Sequence, residues 1–144
     1  MRLTWDELFL HIAHTVSLRS TCPRLHVGAV LSTSDNRILS IGYNGAPKGL
    51  PHCVDVGCHI VGNHCVRTVH AEMNAIGSAA FLGIPIRGAT LYVTDCSCIR
   101  CANVQINVGI RRVVLGGNSY DSDGLRSGVL EMYDKAGIEV VNER

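Results

Sequence analysis

The sequence predicts a three-layer α/β fold, in which a mixed five-stranded sheet carries helices on both faces. Segments with helical periodicity alternate with short apolar runs in the order αββαβαβαβ. The chain has 144 residues, 47% of them hydrophobic, which is enough to bury a core. We therefore expect a single domain over residues 1–144.

The first half of the chain begins with a predicted helix and a pair of strands. Thr4 and Glu7 have the spacing of a capping box, and the apolar residues that follow recur on one helical face, which predicts a helix ending near Arg19. Residues 27–31 and 38–43 have the composition of strands and are joined by a polar, turn-rich segment. A helix should thus precede a two-stranded hairpin.

The second half alternates helices with strands after a long irregular stretch. Residues 44–69 contain Gly, Pro, Cys and His without clear periodicity, and a loop of that length in a compact domain needs a reason such as a bound metal. Ser97 is a good N-cap residue for the second of the three helices predicted there. The predicted helices cover residues 70–81, 98–108 and 123–136, and the predicted strands cover residues 90–94, 112–115 and 138–141.

Charge and hydropathy limit the classes of partner. The formal net charge is +1 and Lys and Arg form no block, which argues against a nucleic-acid partner but leaves a small nucleotide open. No apolar run has the length of a membrane span, and the N-terminus turns acidic without the apolar core of a signal peptide. We therefore expect a cytoplasmic protein with no membrane partner.

Six of the seven cysteines lie in the middle of the chain, interleaved with histidines, which favours metal binding over a disulfide framework. The clearest pattern is His70 followed by Cys98 and Cys101. One imidazole and two thiols can hold a catalytic zinc ion and leave the fourth tetrahedral position to a water. Glu72 would carry protons beside that water.

The predicted helices explain how these ligands would meet. His70 opens one helix, and Cys98 and Cys101 occupy the first turn of another, where positions i and i+3 share a face. A helix N-terminus favours negative charge and therefore the thiolate form that zinc requires. The alternative is a closed structural site with Cys96 as the fourth ligand, although Cys96 is more simply interpreted as an inert buried thiol at the end of a strand.

At the His-Ala-Glu motif of residues 70–72 and the Cys-x-x-Cys motif of residues 98–101, the chain resembles the cytidine and deoxycytidylate deaminase superfamily. The family pattern has Pro before the first cysteine, where this chain has Ser97, and both residues suit a helix start. The resemblance implies a cytidine-deaminase-like fold. Further segments look like the deoxycytidylate (dCMP) deaminase branch: residues 19–24, 27–30, 42–45, 69–76 and 107–110.

The resemblance implies the hydrolysis of dCMP to dUMP and ammonia, a reaction that feeds thymidylate nucleotide synthesis. A zinc-activated water would add to C4 of the cytosine, and Glu72 would protonate N3 and then assist departure of the amine. The resemblance also implies that Asn44 contacts the sugar and that the backbone of Ala71 contacts the base.

Recognition of the phosphate and of effectors depends on weaker signals. Arg24, just before the first strand, is the first candidate for the phosphate, with a solvated surface arginine as the alternative. Tyr120 is a candidate for the nucleotide pocket, with an ordinary surface turn as the alternative. The family implies a homohexamer activated by dCTP and inhibited by dTTP, with the effector near Gly42, Tyr43 and Gly45.

The Cys- and His-rich loop has no part in the catalytic ligand set. A second, closed zinc site would rigidify a segment that lacks regular structure, and related enzymes of the branch carry such a site. Scattered free thiols are the alternative. Arg67, at the end of the loop, could contact a phosphate or fix the loop. The favoured ligands of the second site are Cys22, Cys53, Cys58 and Cys65, with His64 as the alternate.

Other functions remain open from the sequence. A deaminase of this type could act on dCTP, cytidine, a modified dCMP, an aminopyrimidine of riboflavin synthesis, guanine or an adenosine in tRNA. A tRNA enzyme would be expected to have a more basic surface. A zinc-binding module without catalysis is the non-enzymatic alternative, and it would not need Glu72.

Overall fold

The computed structural model describes residues 1–117 and 125–143. The helices are α1 (Trp5–Ser17), α2 (Cys53–Val56), α3 (Ala71–Leu82), α4 (Ile99–Asn107) and α5 (Leu125–Lys135). The strands are β1 (Gly28–Ser32), β2 (Ile38–Tyr43), β3 (Ile60–Val61), β4 (His64–Cys65), β5 (Thr90–Val93), β6 (Arg112–Gly116) and β7 (Glu139–Glu143). Within this part of the chain, no helix has the length and hydropathy that a membrane span requires.

The main sheet has five strands in the order β2-β1-β5-β6-β7. Strand β1 pairs antiparallel with β2 and with β5, whereas β5, β6 and β7 are parallel. The helices α4 and α5 make the two connections between the parallel strands. The predicted mixed sheet is therefore confirmed.

Helices cover both faces of this sheet. Val30, Tyr92 and Val114 pack with α1, whereas their neighbours along the same strands belong to a larger core with α3, α4 and α5. Because successive side chains of a strand point to opposite faces, the two cores lie on opposite sides of the sheet. The capping box of α1 is present as predicted, with the amide of Glu7 donating to Thr4 Oγ1 at 3.2 Å and the amide of Thr4 donating to Glu7 Oε2 at 2.7 Å.

The prediction of an irregular loop over residues 44–69 is only partly right. The segment contains α2 and a small antiparallel hairpin of β3 and β4. The turn of the hairpin is Gly62-Asn63, with φ angles of 55° and 68°. A two-residue turn with positive φ at both positions is the one that a tight hairpin favours. The strands are too short to show a period of two, so the Gly62-Asn63 turn is the only local sequence feature that indicates this hairpin.

The start of α4 also differs from the prediction. Cys98, and not Ser97, is the N-cap, and its thiol accepts a hydrogen bond from the amide of Cys101 at 3.5 Å. His70 likewise precedes α3 as its N-cap. Residues 123 and 124, the predicted start of the last helix, lie outside the described residues.

An ion pair fastens α1 to the sheet. The two oxygens of Asp6 accept hydrogen bonds from Arg112 at 2.7 and 2.6 Å, and Oδ1 also accepts one from the hydroxyl of Tyr92 at 2.9 Å. The hydrogen bonds from Arg112 hold the pKa of Asp6 below its ordinary value of 3.8. The pair therefore stabilises the folded state above the unfolded pKa, and this contribution is lost as the pH falls through the lower folded pKa.

We expect Asp6→Asn to lower the melting temperature by about 5 °C at pH 7, because charge-assisted hydrogen bonds between half-buried groups are lost. The difference between the variant and the wild type should shrink as the pH falls through the lowered folded pKa of Asp6, because the wild-type carboxyl then becomes protonated in the folded state as well. Thermal unfolding followed by circular dichroism measures both differences. Asp35→Asn is the matched control, because its partner Arg37 is 79% exposed and such pairs contribute little. Equal melting of wild type and Asp6→Asn at pH 7 would contradict the prediction.

Candidate active site

Three predicted zinc ligands meet where α3 and α4 begin. Nδ1 of His70 lies 3.5 Å from Sγ of Cys98 and 3.3 Å from Sγ of Cys101. The three ligand atoms all lie within 4.8 Å of one another, and burial increases from exposed His70 to buried Cys101. The cluster is thus open to solvent on its imidazole side.

The two thiols of this cluster interact by a hydrogen bond and differ in acidity. The hydrogen bond from the thiol of Cys101, helped by His70 and by the Cys101 amide, lowers the pKa of Cys98 to about 3. The same hydrogen bond, together with burial, raises the pKa of Cys101 above its ordinary range. One thiolate is therefore already formed at neutral pH, at a helix N-terminus that favours negative charge.

The donor set fits zinc. Zinc prefers nitrogen and sulfur ligands, and catalytic sites take three of them from the protein. Among the described residues, the group contains His70, Cys98 and Cys101 and does not include Cys96. The thiol of Cys96 instead donates to the carbonyl of Ser97 at 3.7 Å, and its side chain packs against the larger core.

The carboxylate of Glu72 is buried next to this cluster. Its side chain is only 4% exposed, and burial raises its pKa. The hydrogen bond with Cys98 raises the pKa of His70, and the nearby charge of Glu72 adds to that effect. The geometry therefore combines a set of metal ligands with a carboxyl group that binds a proton more readily than an exposed one.

A buried hydrogen bond that the sequence motifs do not predict reaches Glu72 from the start of α4. The hydroxyl of Ser97 donates to Glu72 Oε1 at 2.8 Å and accepts from Nε2 of Gln105 at 2.7 Å. Oε1 of Gln105 accepts in turn from the hydroxyl of Tyr133. Gln105 lies seven residues after Cys98 and therefore on the same face of α4. A polar residue on that face was the sequence feature that could have indicated this hydrogen bond.

A second cluster forms in the segment that contains the hairpin. The ligand atoms of Cys53, Cys58 and Cys65 lie within 4.8 Å of one another, and the sulfurs of Cys53 and Cys65 are 3.5 Å apart. The structure does not bring Cys22 or His64 into this group. Cys22 is nevertheless buried, and the carbonyl of its neighbour Thr21 accepts a hydrogen bond from α2 at 3.2 Å.

The thiols of this second cluster differ in acidity. Burial opposes ionisation of Cys65, but hydrogen bonds from the hydroxyl of Thr68 and from backbone amides lower its pKa to about 6. Burial, followed by the hydrogen bond with Cys53, raises the pKa of Cys58 to about 11. A group of three soft sulfur donors, one of them acidic, fits zinc as the first cluster does.

The family of this chain is decided by comparison with known proteins. The model of the cytidine and deoxycytidylate deaminase zinc-binding region matches residues 3–117, which include both clusters. The chain belongs to this family. It is 41% identical to ComE operon protein 2 of Bacillus subtilis (strain 168) over 139 residues, which are 96% of this chain and 71% of that protein. It is also 40% identical over 125 residues to the deoxycytidylate deaminase of Mycobacterium phage D29, covering 78% of this chain and 94% of that protein.

A solved structure of the family has the same fold. The dCMP deaminase from the cyanophage S-TIM5, in complex with dCMP and dUMP, matches with a TM-score of 0.83 and 26% identity, with 99% of each chain covered. The cytidine-deaminase-like fold and the family resemblance predicted from the motifs are both confirmed.

The two residues expected to contact sugar and base in this deaminase family are both buried. Asn44 is buried, and its amide is held by the backbone: Oδ1 accepts from Val27 N at 2.9 Å and Nδ2 donates to the carbonyl of Leu25 at 2.6 Å. Ala71 is fully buried as the first residue of α3, between His70 and Glu72. The substrate contacts of both residues stay predictions.

The segment expected to bind an effector packs against α3. A Cβ on Gly42 would lie 2.3 Å from the carbonyl oxygen of Ala71, so this position requires glycine for close approach. Gly45 exchanges backbone hydrogen bonds with Val69, the residue before His70, at 3.1 and 2.8 Å. The ring of Tyr43 lies 5.9 Å from the guanidinium carbon of Arg19. These contacts position the start of α3, whereas an effector role stays a prediction.

The two arginines considered for the phosphate, Arg24 and Arg67, both contact backbone carbonyls of the segment that contains the hairpin. Both terminal nitrogens of Arg24 lie 3.4 Å from the carbonyl oxygen of Asn63, so the side chain reaches the hairpin turn. Arg67 donates to the carbonyl of Gly57 at 3.1 Å, which agrees with the loop-fixing alternative. Tyr120 lies outside the described residues.

Proposed function

We propose that this chain is a zinc-dependent deaminase that hydrolyses dCMP to dUMP and ammonia. The observation that carries the proposal is the cluster of His70, Cys98 and Cys101 beside the buried carboxylate of Glu72. The names of its relatives support dCMP as the substrate, because the phage D29 relative is a deoxycytidylate deaminase and the cyanophage relative was crystallised with dCMP and dUMP.

In this proposal the chemistry is divided between the metal and one carboxylate. When held by His70, Cys98 and Cys101, zinc supplies the Lewis acid that makes a water nucleophilic at neutral pH. Glu72 moves the protons: it takes one from the water that adds to C4, delivers it to N3 of the ring and later passes one to the departing amine. The same group serves twice because addition and elimination each require a proton transfer.

The remaining substrate contacts are proposed from the family. Asn44 keeps one lone pair of Oδ1 for the sugar hydroxyl, and the backbone of Ala71 contacts the base. Arg24 contacts the phosphate by turning away from Asn63, since its contact there is long and exposed. Tyr120 completes the nucleotide pocket.

The second cluster is proposed as a structural zinc site. Cys53, Cys58 and Cys65 supply three ligands, and either Cys22 or His64 supplies the fourth. The cluster joins α2 to the hairpin, and neither element is large enough to be stable by itself. A metal at this position would therefore hold the irregular segment against the domain.

We further propose a cytoplasmic homohexamer of single-domain subunits, activated by dCTP and inhibited by dTTP near Gly42, Tyr43 and Gly45. The family resemblance supports the effectors. Exposed apolar side chains support self-association: Phe81 at the end of α3 is 87% exposed, and Ile38 and Ile41 are exposed on the edge strand β2.

The function is tested by a spectrophotometric deamination panel with the zinc-loaded full chain. It compares dCMP, CMP, deoxycytidine, dCTP and methylated dCMP, each with and without dCTP or dTTP. We expect the largest kcat/KM for dCMP. A preference for unphosphorylated deoxycytidine would overturn the nucleotide assignment, and no turnover of any cytosine compound would overturn the deaminase assignment.

A further inference from the structure

We infer that Ser97, Gln105 and Tyr133 are positioning residues for the carboxylate of Glu72. They form a buried series of hydrogen bonds, here named the Glu72 relay, that fixes one oxygen of that carboxylate and leaves the other for proton transfer. This inference rests on the proposed function, in which Glu72 moves the protons of the reaction.

The relay connects three parts of the chain. Ser97 lies between β5 and α4, Gln105 is in α4, and Tyr133 is in α5. Tyr133 donates to Gln105 Oε1, Gln105 Nε2 donates to Ser97 Oγ at 2.7 Å, and Ser97 donates to Glu72 Oε1 at 2.8 Å. Gln105 and Tyr133 are fully buried, and Ser97 and Glu72 are 4% exposed. Solvent does not replace these hydrogen bonds when one of them is removed.

Each hydrogen bond of the relay is donated in the direction of Glu72, from Tyr133 to Gln105, from Gln105 to Ser97 and from Ser97 to Glu72. Because Tyr133 donates to the carbonyl oxygen of Gln105, the amide nitrogen of Gln105 faces Ser97. A serine hydroxyl has one proton, so a Ser97 oxygen that accepts from Gln105 directs its proton to Glu72. The relay therefore holds Oε1 as an acceptor and keeps the carboxylate plane in one orientation. Oε2 is the oxygen that we assign to the exchange of protons with water and substrate.

Packing alone does not require this series of polar groups. Tyr133 lies within the larger apolar core, and Gln105 lies on the buried face of α4. Burying polar groups there has a desolvation cost that an apolar pair of the same volume would avoid. Ser97 stands where the family pattern has proline, which could donate no hydrogen bond. The donor to Glu72 is therefore a property of this chain and not of the shared motif.

The first test is the kinetics of variants at Ser97. We expect Ser97→Ala to lower kcat for dCMP about tenfold, with KM changed less than about twofold, because an orienting hydrogen bond to a charged group is lost. Ser97→Thr keeps the hydroxyl and should recover kcat to within about threefold of the wild type. Zinc content, measured by mass spectrometry, should be the same in all three proteins.

Matched controls separate positioning from general packing. Ser40→Ala removes a buried hydroxyl that donates to the carbonyl of Ala75 at 2.8 Å, and Tyr92→Phe removes the hydroxyl bonded to Asp6. Both controls should lower the melting temperature as much as the relay variants do and leave kcat unchanged. If Ser97→Ala loses no more kcat than Ser40→Ala, the positioning role is wrong.

A double-mutant cycle tests whether the relay acts as one unit. Tyr133→Phe is isosteric and should lower kcat about threefold in the wild type. In the Ser97→Ala background it should have no further effect on kcat, because the connection to Glu72 is already broken. Equal effects of Tyr133→Phe in both backgrounds would overturn the relay. Wild-type protein that deaminates no cytosine compound would instead overturn the proposed function itself, so the two failures differ.

Discussion

Glu72→Gln is expected to lower kcat for dCMP by about 10³- to 10⁴-fold, because glutamine has the shape of glutamate but cannot carry a proton. The loss should be large because the same carboxylate is proposed for the addition and for the elimination. Ser97 can still donate to the amide oxygen of the new side chain, and a buried charge is removed. The fold and the zinc content should therefore be retained.

The measurement combines steady-state kinetics with zinc content and thermal unfolding. Glu131→Gln is the matched control, since this carboxylate is 65% exposed and pairs with Lys135 on the surface of α5. It should have wild-type kcat. A fully active Glu72→Gln enzyme would remove Glu72 from the mechanism. A variant that loses zinc or unfolds would show that Glu72 supports the metal cluster instead of moving protons.

The elements of the main sheet could be predicted because each one carries a local signal. The capping box at Thr4 and Glu7 precedes an apolar helical face, and the strands of the sheet are short apolar runs between turn residues. The cluster of candidate zinc ligands could be predicted as readily, since Cys98 and Cys101 must lie close together at the start of one helix. His70 then only had to be brought to the same end of the domain.

The N-cap of α4 could not be chosen from residue preferences. Ser97 is the better N-cap residue by frequency, but its hydroxyl is bonded to Gln105 within α4 and to Glu72, which lies 25 residues earlier in the sequence. The thiol of Cys98 caps the helix instead. The hydrogen bond between Ser97 and Glu72 therefore determines which residue is the N-cap of α4, and local residue preferences do not. Such conflicts between local preference and tertiary contacts are common at functional sites.

The second cluster shows a different limit. Its cysteines lie on α2, on the hairpin and between them, and no repeating geometry relates their spacing in sequence to a distance in space. The presence of a thiol cluster was predictable from composition, and three of its four favoured members do come together. The fourth ligand was not predictable, because Cys22 and His64 approach from different segments of the backbone.

We expect the wild-type protein, purified without chelators, to contain about two zinc ions per chain. Cys58→Ser should reduce this to about one and lower the melting temperature by about 10 °C or more, because binding of a structural metal contributes directly to folding. The catalytic cluster does not include Cys58, so the remaining zinc should still support turnover of dCMP. Cys96→Ser is the matched control, as a cysteine outside both clusters, and should keep both ions.

The same measurement identifies the fourth ligand. If Cys22 completes the site, Cys22→Ser should lose the second zinc ion at a chelator concentration that His64→Gln withstands, and the reverse order would assign His64. Cys22 is buried beside the segment that contacts α2, whereas His64 is exposed on the hairpin. Zinc favours soft thiolate ligands, so the buried thiol of Cys22 is the favoured fourth ligand. One zinc ion per wild-type chain, unchanged in Cys58→Ser, would mean that the three clustered cysteines are free thiols.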